Sequence, residues 1–393
     1  MNPGGGRQGG QEIFLFPVYL MSFLNNMSLA FIYPVMPAYA TALGATIAQV
    51  GVVVALLPYV SAGAQPFAGF FSDRINRRIS LIVGAALNIL CFLLYLFTPA
   101  LGSLMIVRIL HGFSCAVFFP AASSLVVDIA SQEKRGQALG LFTTATQLGN
   151  MTGPAVGGFV LKGFGFKATF LASAFIMTLA LVIVLFLLRF VRTEAGPTPA
   201  FRITLKWFRD RRAIIANLAT MFVMVGIASV ISFLPLYGEE IGIDISRVGL
   251  LIACVYFGSV LTRVIAGRTS DRVGRVPVIL VGLSLCTIGI FLVSIFTREF
   301  LLYGACFIFG VGMGAVLPAT IALIADVAPP WIRGFALGLM GSFFYGGQAI
   351  GATVLGMVAA SAGFSKMYLV TAGTLGCIIL VILVLAPRKS KTR

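Results

Sequence analysis

The sequence predicts an all-α polytopic membrane protein of twelve transmembrane helices, arranged as two pseudo-symmetric six-helix bundles. Three observations carry that prediction. Hydrophobic residues make up 59% of the 393 and charged residues only 10%, with a mean hydropathy of +1.03. A soluble fold would be left with a continuous apolar surface. The apolar residues also fall in long unbroken runs, each close to the roughly 20 residues that cross a bilayer core of about 30 Å. That pattern selects helices, which satisfy their own backbone in lipid, over the short alternating strands of a barrel. Finally, the chain repeats itself at an offset of 198 residues.

In order, the runs lie near 14–40, 47–72, 80–98, 102–128, 136–161, 168–190, 213–238, 246–270, 277–296, 300–326, 334–360 and 366–386. The first is too long for a signal peptide and lacks a small-residue cleavage site, so it is expected to stay as a span. With the amino terminus on the cytoplasmic side, 21 of the 28 Lys and Arg fall in cytoplasmic segments. Lys162, Lys167, Arg247, Arg298 and Lys366 fall opposite, and Arg108 and Arg263 lie inside spans. This is the positive-inside bias, and it predicts an inner (cytoplasmic) membrane protein with both termini cytoplasmic. The net charge of +16 therefore reports topology rather than a nucleic-acid partner. The six cysteines sit in apolar runs without a CxxC pair and read as small hydrophobes.

At the 198-residue offset Pro37, Tyr39, Gly44 and Gly51 fall on Pro235, Tyr237, Gly242 and Gly249. Gly69, Asp73, Arg74 and Arg77 fall on Gly267, Asp271, Arg272 and Arg275; Gly112, Pro120 and Asp128 fall on Gly310, Pro318 and Asp326. The segment from Arg135 to Leu141 matches that from Arg333 to Leu339. A duplicated six-helix unit follows, with an amino-terminal half at 1–190, a cytoplasmic linker at 191–212 and a carboxy-terminal half at 213–393. Phe201, Leu205, Trp207 and Phe208, set among basic residues, suit a linker segment lying flat on the membrane.

Parallel six-span repeats are the layout of the major facilitator fold, and particular motifs sharpen the likeness. The stretch Gly69-Phe-Phe-Ser-Asp73-Arg74-Ile-Asn-Arg77-Arg78 resembles that superfamily's signature between its second and third helices, with a degenerate copy at Gly267 to Arg275. Asn76 departs from the usual glycine, which Gly274 keeps. The resemblance implies a cytoplasmic gate built from Gly69, Asp73, Arg74, Arg77, Arg78, Asp128 and Arg135, with Asp271, Arg272, Asp326 and Arg333 as second-half copies. Ion pairs there would form in one state and break in another; anchoring loops at the interface is the plainer alternative.

In the fifth helix, Gly149, Gly153 and Gly157 share one face on which another helix can approach closely, and Pro154 bends the backbone. Gly153-Pro154 followed by Gly157-Gly158 is similar to the motif marking antiporters and efflux pumps of the superfamily. Leu29 to Pro37 resembles the first-helix signature of the drug:proton antiporter group, although Asn25 and Asn26 stand where that group often has a carboxylate.

All twelve acidic residues lie in loops or at span ends. Buried charge is costly and usually functional, which turns attention to the two buried arginines. Arg108-Ile-Leu-His111-Gly112 resembles the family's fourth-helix motif. His111, the only histidine, is one turn from Arg108, and the pair is a candidate for proton coupling; a simply hydrogen-bonded His111 is the alternative. Arg263 in the eighth helix either meets an anionic group or snorkels to the interface. Candidate substrate contacts are Asn25, Asn26, Arg108, Gln147, Asn150, Asn217, Arg263, Tyr345 and Gln348.

Two functional readings result. One is proton-coupled efflux of amphipathic small molecules by alternating access, bound in an apolar and aromatic cavity. The other is an organic-anion transporter or exchanger built on Arg108 and Arg263. A receptor or scaffold on the same fold is a third class. Enzymatic chemistry finds no metal-ligand spacing, nucleophile–base pair or phosphate-cradling loop, and no cofactor is expected. The expected partners are a small-molecule substrate, protons and the lipid bilayer, with the chain working as a monomer.

Overall fold

The structure is a computed structural model and describes residues 14–74, 77–131, 134–190, 210–329 and 332–386. The linker segment 191–209, Gly69 and the side chains of Asp73, Arg74, Arg77, Arg78 and Arg333 lie outside what it describes. Among the described residues every long element is a helix. Helix α1 spans Leu15–Ala42 and α2 spans Ile47–Arg74. Arg77–Leu94 is α3, Leu101–Ile129 is α4, and the two limbs of Arg135–Phe190, 135–164 and 166–190, are α5 and α6. Arg211–Glu240, Ile245–Val273 and Arg275–Ile295 are α7, α8 and α9; Glu299–Val327, Arg333–Ala362 and Phe364–Leu385 are α10, α11 and α12. Among the described residues eleven helical stretches are long and apolar enough to cross a membrane, and the longest, divided at Gly165, makes the twelve crossings the hydropathy predicts. We call the face where α1 begins and α12 ends proximal and the other distal.

Two breaks have clear causes. In α1 the helix stops at Phe31 and restarts at Val35, because Pro34 has no N–H to give the Ala30 carbonyl. That carbonyl takes the Tyr33 N–H at 3.0 Å instead. Between α5 and α6 only Gly165 leaves the helix, at φ 78°, a conformation that costs a residue with a Cβ dearly. The hydropathy pattern places a gap near 162–167 and shows no trace of how short the turn is.

The duplication survives as matched contacts. Gly363, the copy of Gly165, turns α11 into α12 at φ 85°. Tyr39 donates to the Thr98 carbonyl at 3.1 Å, and its copy Tyr237 donates to the Phe296 carbonyl at 3.3 Å. Tyr39 packs on Phe166 and Phe170, and Tyr237 on Phe364 and Tyr368. Small residues set the helix pairing in both halves. Gly149 and Gly153 of α5 lie on the α1 backbone at Phe23 and Met27, as Gly347 and Gly351 of α11 lie on α7 at Met221 and Val225. Gly112 and Gly310 likewise bring α4 and α10 onto the Leu57 and Val255 carbonyls. Without a hydrophobic drive between helices in lipid, such close backbone approach is the main source of packing energy.

The halves meet along two equivalent seams. Gly51 of α2 lies on Ala352 and Gly356 of α11, and Gly249 and Ser246 of α8 lie on Pro154 and Gly158 of α5. The α2–α11 seam runs on past the middle, where Ser342 donates to the Ala62 carbonyl at 2.9 Å and Gly341 lies on Gln65, whereas the α5–α8 seam tightens toward the distal face. There Lys162 of α5 reaches Asp244, just before α8, at 2.9 Å. Nearer the proximal face Gly140 of α5 and Gly267 of α8 have no neighbour in reach of an added Cβ.

Candidate functional site

Between the halves lies a cavity of about 420 Å³, lined by helices of both, of the size that holds a small organic ligand. Its lining is buried on the distal side, where Ile32, Met36 and Val54 are 9% exposed or less. Toward the proximal side Phe119, Ile321 and Leu337 are 37–43% exposed. The cavity therefore opens proximally and is shut distally by the two seams.

Eight of the nine substrate contacts expected from sequence line it: Asn25, Asn26, Arg108, Gln147, Asn150, Arg263, Tyr345 and Gln348. Asn150 donates to Gln147 Oε1 at 3.0 Å, so α5 presents its two amides as one unit. Asn25 sits over a buried polar chain in which Ser114 Oγ donates to Asn88 Oδ1 at 2.5 Å and Asn88 Nδ2 approaches Asn25 Oδ1 at 3.5 Å. Asn217 does not reach the cavity. It shares the helical face of Met221 and Val225 that packs on α11, and its Oδ1 is buried without a partner among the described residues.

Arg108 is buried, with Nε donating to the Val53 carbonyl at 3.1 Å and Nη2 to the Val54 carbonyl at 2.8 Å. The sequence explains why α2 has a carbonyl to spare. The residue four beyond Val54 is Pro58, which has no N–H to return, so the guanidinium fills a bond the helix leaves open. His111 is one turn along but lies outside the lining. It is fully buried, with Nδ1 2.9 Å from the Tyr95 hydroxyl and Phe92 edge-on at 5.1 Å. Its Nε2 has no partner among the described residues. Helical rotation separates the pair: Arg108 faces α2 and the cavity, while His111 faces α3.

Arg263 of α8 borders the cavity on its proximal side, and its Nε is buried without a hydrogen bond. Gln65, its copy in the repeat, lines the cavity from α2. Sequence reasoning did not name Gln65 as a contact, although its pairing with Arg263 at the 198-residue offset was the available signal. Tyr33 and Tyr256, one from each half, also line the cavity. Tyr33 stood in the first-helix motif; nothing in the local sequence marked Tyr256.

At the proximal ends of α8 and α10, Asp271 and Asp326 meet on one cation. Arg275 donates to Asp326 Oδ2 at 3.1 Å, to Ser270 Oγ at 2.8 Å and to Asp271. Arg275, not Arg272, is the centre of this cluster, as its alignment with Arg77 would indicate. Arg135 and Arg272 are exposed at the same face.

The Major Facilitator Superfamily model matches residues 18–237 and again 216–393, the two matches overlapping within α7. The chain belongs to the Major Facilitator Superfamily. This facilitator is 27% identical over 369 residues to the uncharacterized MFS-type transporter MJ1560 of Methanocaldococcus jannaschii, covering 92% of this chain and 95% of that one. It is 28% identical to the multi-drug resistance efflux pump PmrA of Streptococcus pneumoniae serotype 4, covering 89% and 90%. Among solved structures, a POT family transporter in complex with 5-aminolevulinic acid superposes with a TM-score of 0.82 at 14% identity, over 95% of this chain and 96% of that one. The facilitator is thus a multi-pass membrane transporter, not an enzyme, and it resembles the multidrug efflux group.

Proposed function

We propose that this facilitator exports amphipathic small molecules across the cytoplasmic membrane by alternating access, taking them up at the proximal face in exchange for protons. The observation that carries the reading is the cavity between the halves, open proximally and closed distally by two equivalent seams. A rocking of one half on the other exchanges which end is shut. The bias of Lys and Arg supports a cytoplasmic proximal face with both termini there. Export is supported by the Gly-Pro motif of α5, which forms the α1 contact and one seam, and by the activity named for PmrA. In this reading the chain works as a monomer, with halves at 1–190 and 213–393.

For the proton, His111 and Arg108 are the groups this reading supplies. His111 has an unpartnered Nε2 and sits one turn from the cavity arginine. Its full burial means that protonation belongs to a state in which water reaches between α3 and α4. The Asp271–Arg275–Asp326 cluster supports a gate at the proximal face that rearranges in the same cycle.

The test is transport by the purified chain in liposomes under an imposed pH gradient, using amphiphiles of positive, negative and zero charge. Accumulation that collapses when the gradient is dissipated supports proton-driven transport, and His111→Gln should then abolish the gradient dependence. Movement indifferent to the gradient overturns the proton drive. If no amphiphile moves, the export reading fails.

A further inference from the structure

Among its described lining residues the cavity carries positive charge and no carboxylate to balance it. Arg108 and Arg263 are the only charged groups among the described lining residues. The two differ in what they have left to offer. Arg108 already spends Nε and Nη2 on two α2 carbonyls. Arg263 makes no hydrogen bond or ion pair to any described residue, and its Nε is buried. Arg108 is about two turns into α4 from the distal end and Arg263 about five turns into α8, so at about 5.4 Å per turn they stand ~16 Å apart along the bundle axis. One small anionic group does not bridge them.

Resting on the transporter reading above, we propose that the substrates are amphipathic organic anions, with the carboxylate or phosphate-like head held by Arg263 near the proximal mouth. Arg263 is half-buried, with its Nε shut away from water and without an acceptor among the described residues; a buried donor left unmet is costly, and the planar fork is matched to a carboxylate or phosphate. The body of the ligand then extends distally, against Tyr33, Met36, Met224 and Tyr256, where the lining is apolar and aromatic. Gln65, on the other half of the cavity lining, supplies an amide on the same level as Arg263 by the symmetry of the repeat. Arg108 is a positioning residue that ties α4 to α2. A lipophilic cation meets no counter-charge among these groups.

Three ligands with one ring system separate head from body: 2-naphthoate, 2-naphthalenemethanol and 2-naphthylmethylammonium. Their binding to the full chain in neutral detergent is measured by calorimetry. Naphthoate should bind at least about tenfold more tightly than the ammonium compound, the scale of one charge-assisted contact. Arg263→Gln should cut naphthoate affinity about tenfold, to the level of the alcohol, while the alcohol itself stays within about twofold and reports an intact cavity. Arg263→Lys should keep part of the preference. Equal affinity for the three heads, tightest binding of the ammonium compound, or naphthoate binding untouched by Arg263→Gln would each overturn the proposal. Competition separates a soluble substrate from a lipid head: if phosphatidylglycerol displaces naphthoate and naphthoate is not moved in liposomes, Arg263 holds a lipid and the proposal falls. If none of the three binds the unaltered chain, the cavity itself is not the binding site, and the transport reading fails first.

Discussion

Lys162 and Asp244 meet at 2.9 Å across the seam between α5 and α8, on the face where the cavity is shut. Asp244 does a second job there. Its Oδ1 accepts the Ser246 N–H at 2.9 Å and the Ser246 hydroxyl at 2.6 Å, closing the first turn of α8. The other seam has no such pair, since the copies of these residues are Ala360 and Thr46. The latch is an addition to one side of a symmetric closure made of glycines, so the packing does most of the holding and the ion pair biases it.

Lys162→Ala should open the distal face only slightly. Both side chains are more than a third exposed, and such pairs contribute about 0.2–1 kcal/mol, a shift in state populations of fivefold or less. Asp244→Ala should do more, because it also removes a helix cap, at a cost of about 1 kcal/mol. The readout is labelling of Cys115, which lines the cavity, by an impermeant maleimide from the distal side in a variant keeping only that cysteine. Equal effects of the two substitutions would refute the double role.

Asp244 is held at about 2, below its ordinary 3.8, first by the bonds from Ser246 and then by Lys162. A depressed carboxylate contributes stability that is complete above its unperturbed value and is lost as pH falls through the depressed one. The latch should therefore be indifferent to pH between 7 and about 5 and should weaken only between about 4 and 2. Distal labelling of Cys115 at each bath pH, divided by that of the same cysteine in the unfolded chain to remove the loss of thiolate, checks this. A rise in labelling between pH 7 and 5 would place a titrating group at the latch.

Much of this was legible in the sequence, for identifiable reasons. Span positions follow from hydropathy, and the matched turns at Gly165 and Gly363 follow from the duplication. Polar side chains in apolar helices are few, so most of those singled out do reach the cavity. Asn217 shows the limit: a polar residue in a span reports that it needs a partner or a cavity, not which side of the helix meets which neighbour. For Arg275 the sequence carried the alignment with Arg77 but not the contact itself, because Asp326 lies 51 residues away on another helix and single-chain spacing does not encode that meeting.

Gly157 offers a sharp packing test. A Cβ there would run into the Phe31 backbone, where α1 breaks. Gly157→Leu should force α1 and α5 apart and cost about 1–3 kcal/mol by overpacking, read as a lowered Tm in detergent. Gly140→Ala, on the same helix with nothing in reach of its Cβ, should leave Tm unchanged. A tolerant Gly157 would mean that the α1–α5 contact is looser than the structure shows.

The tie between Arg108 and α2 makes the most specific prediction. Arg108→Gln removes two charge-assisted bonds and leaves the Val54 carbonyl unmet, because Pro58 offers no N–H. A buried group left without its partner costs about 1–3 kcal/mol, so the variant should unfold at lower temperature. Pro58→Ala restores an N–H that can return to Val54, and in that background Arg108→Gln should cost less. A double-mutant cycle on thermal unfolding measures the difference, expected at about 0.5 kcal/mol or more for residues that share a partner. Additive costs would show that Arg108 is held by something other than the carbonyl Pro58 leaves free. A cost for Arg108→Gln matched by an equal cost for Arg263→Gln would remove the distinction between the arginine that ties helices together and the one left for a ligand.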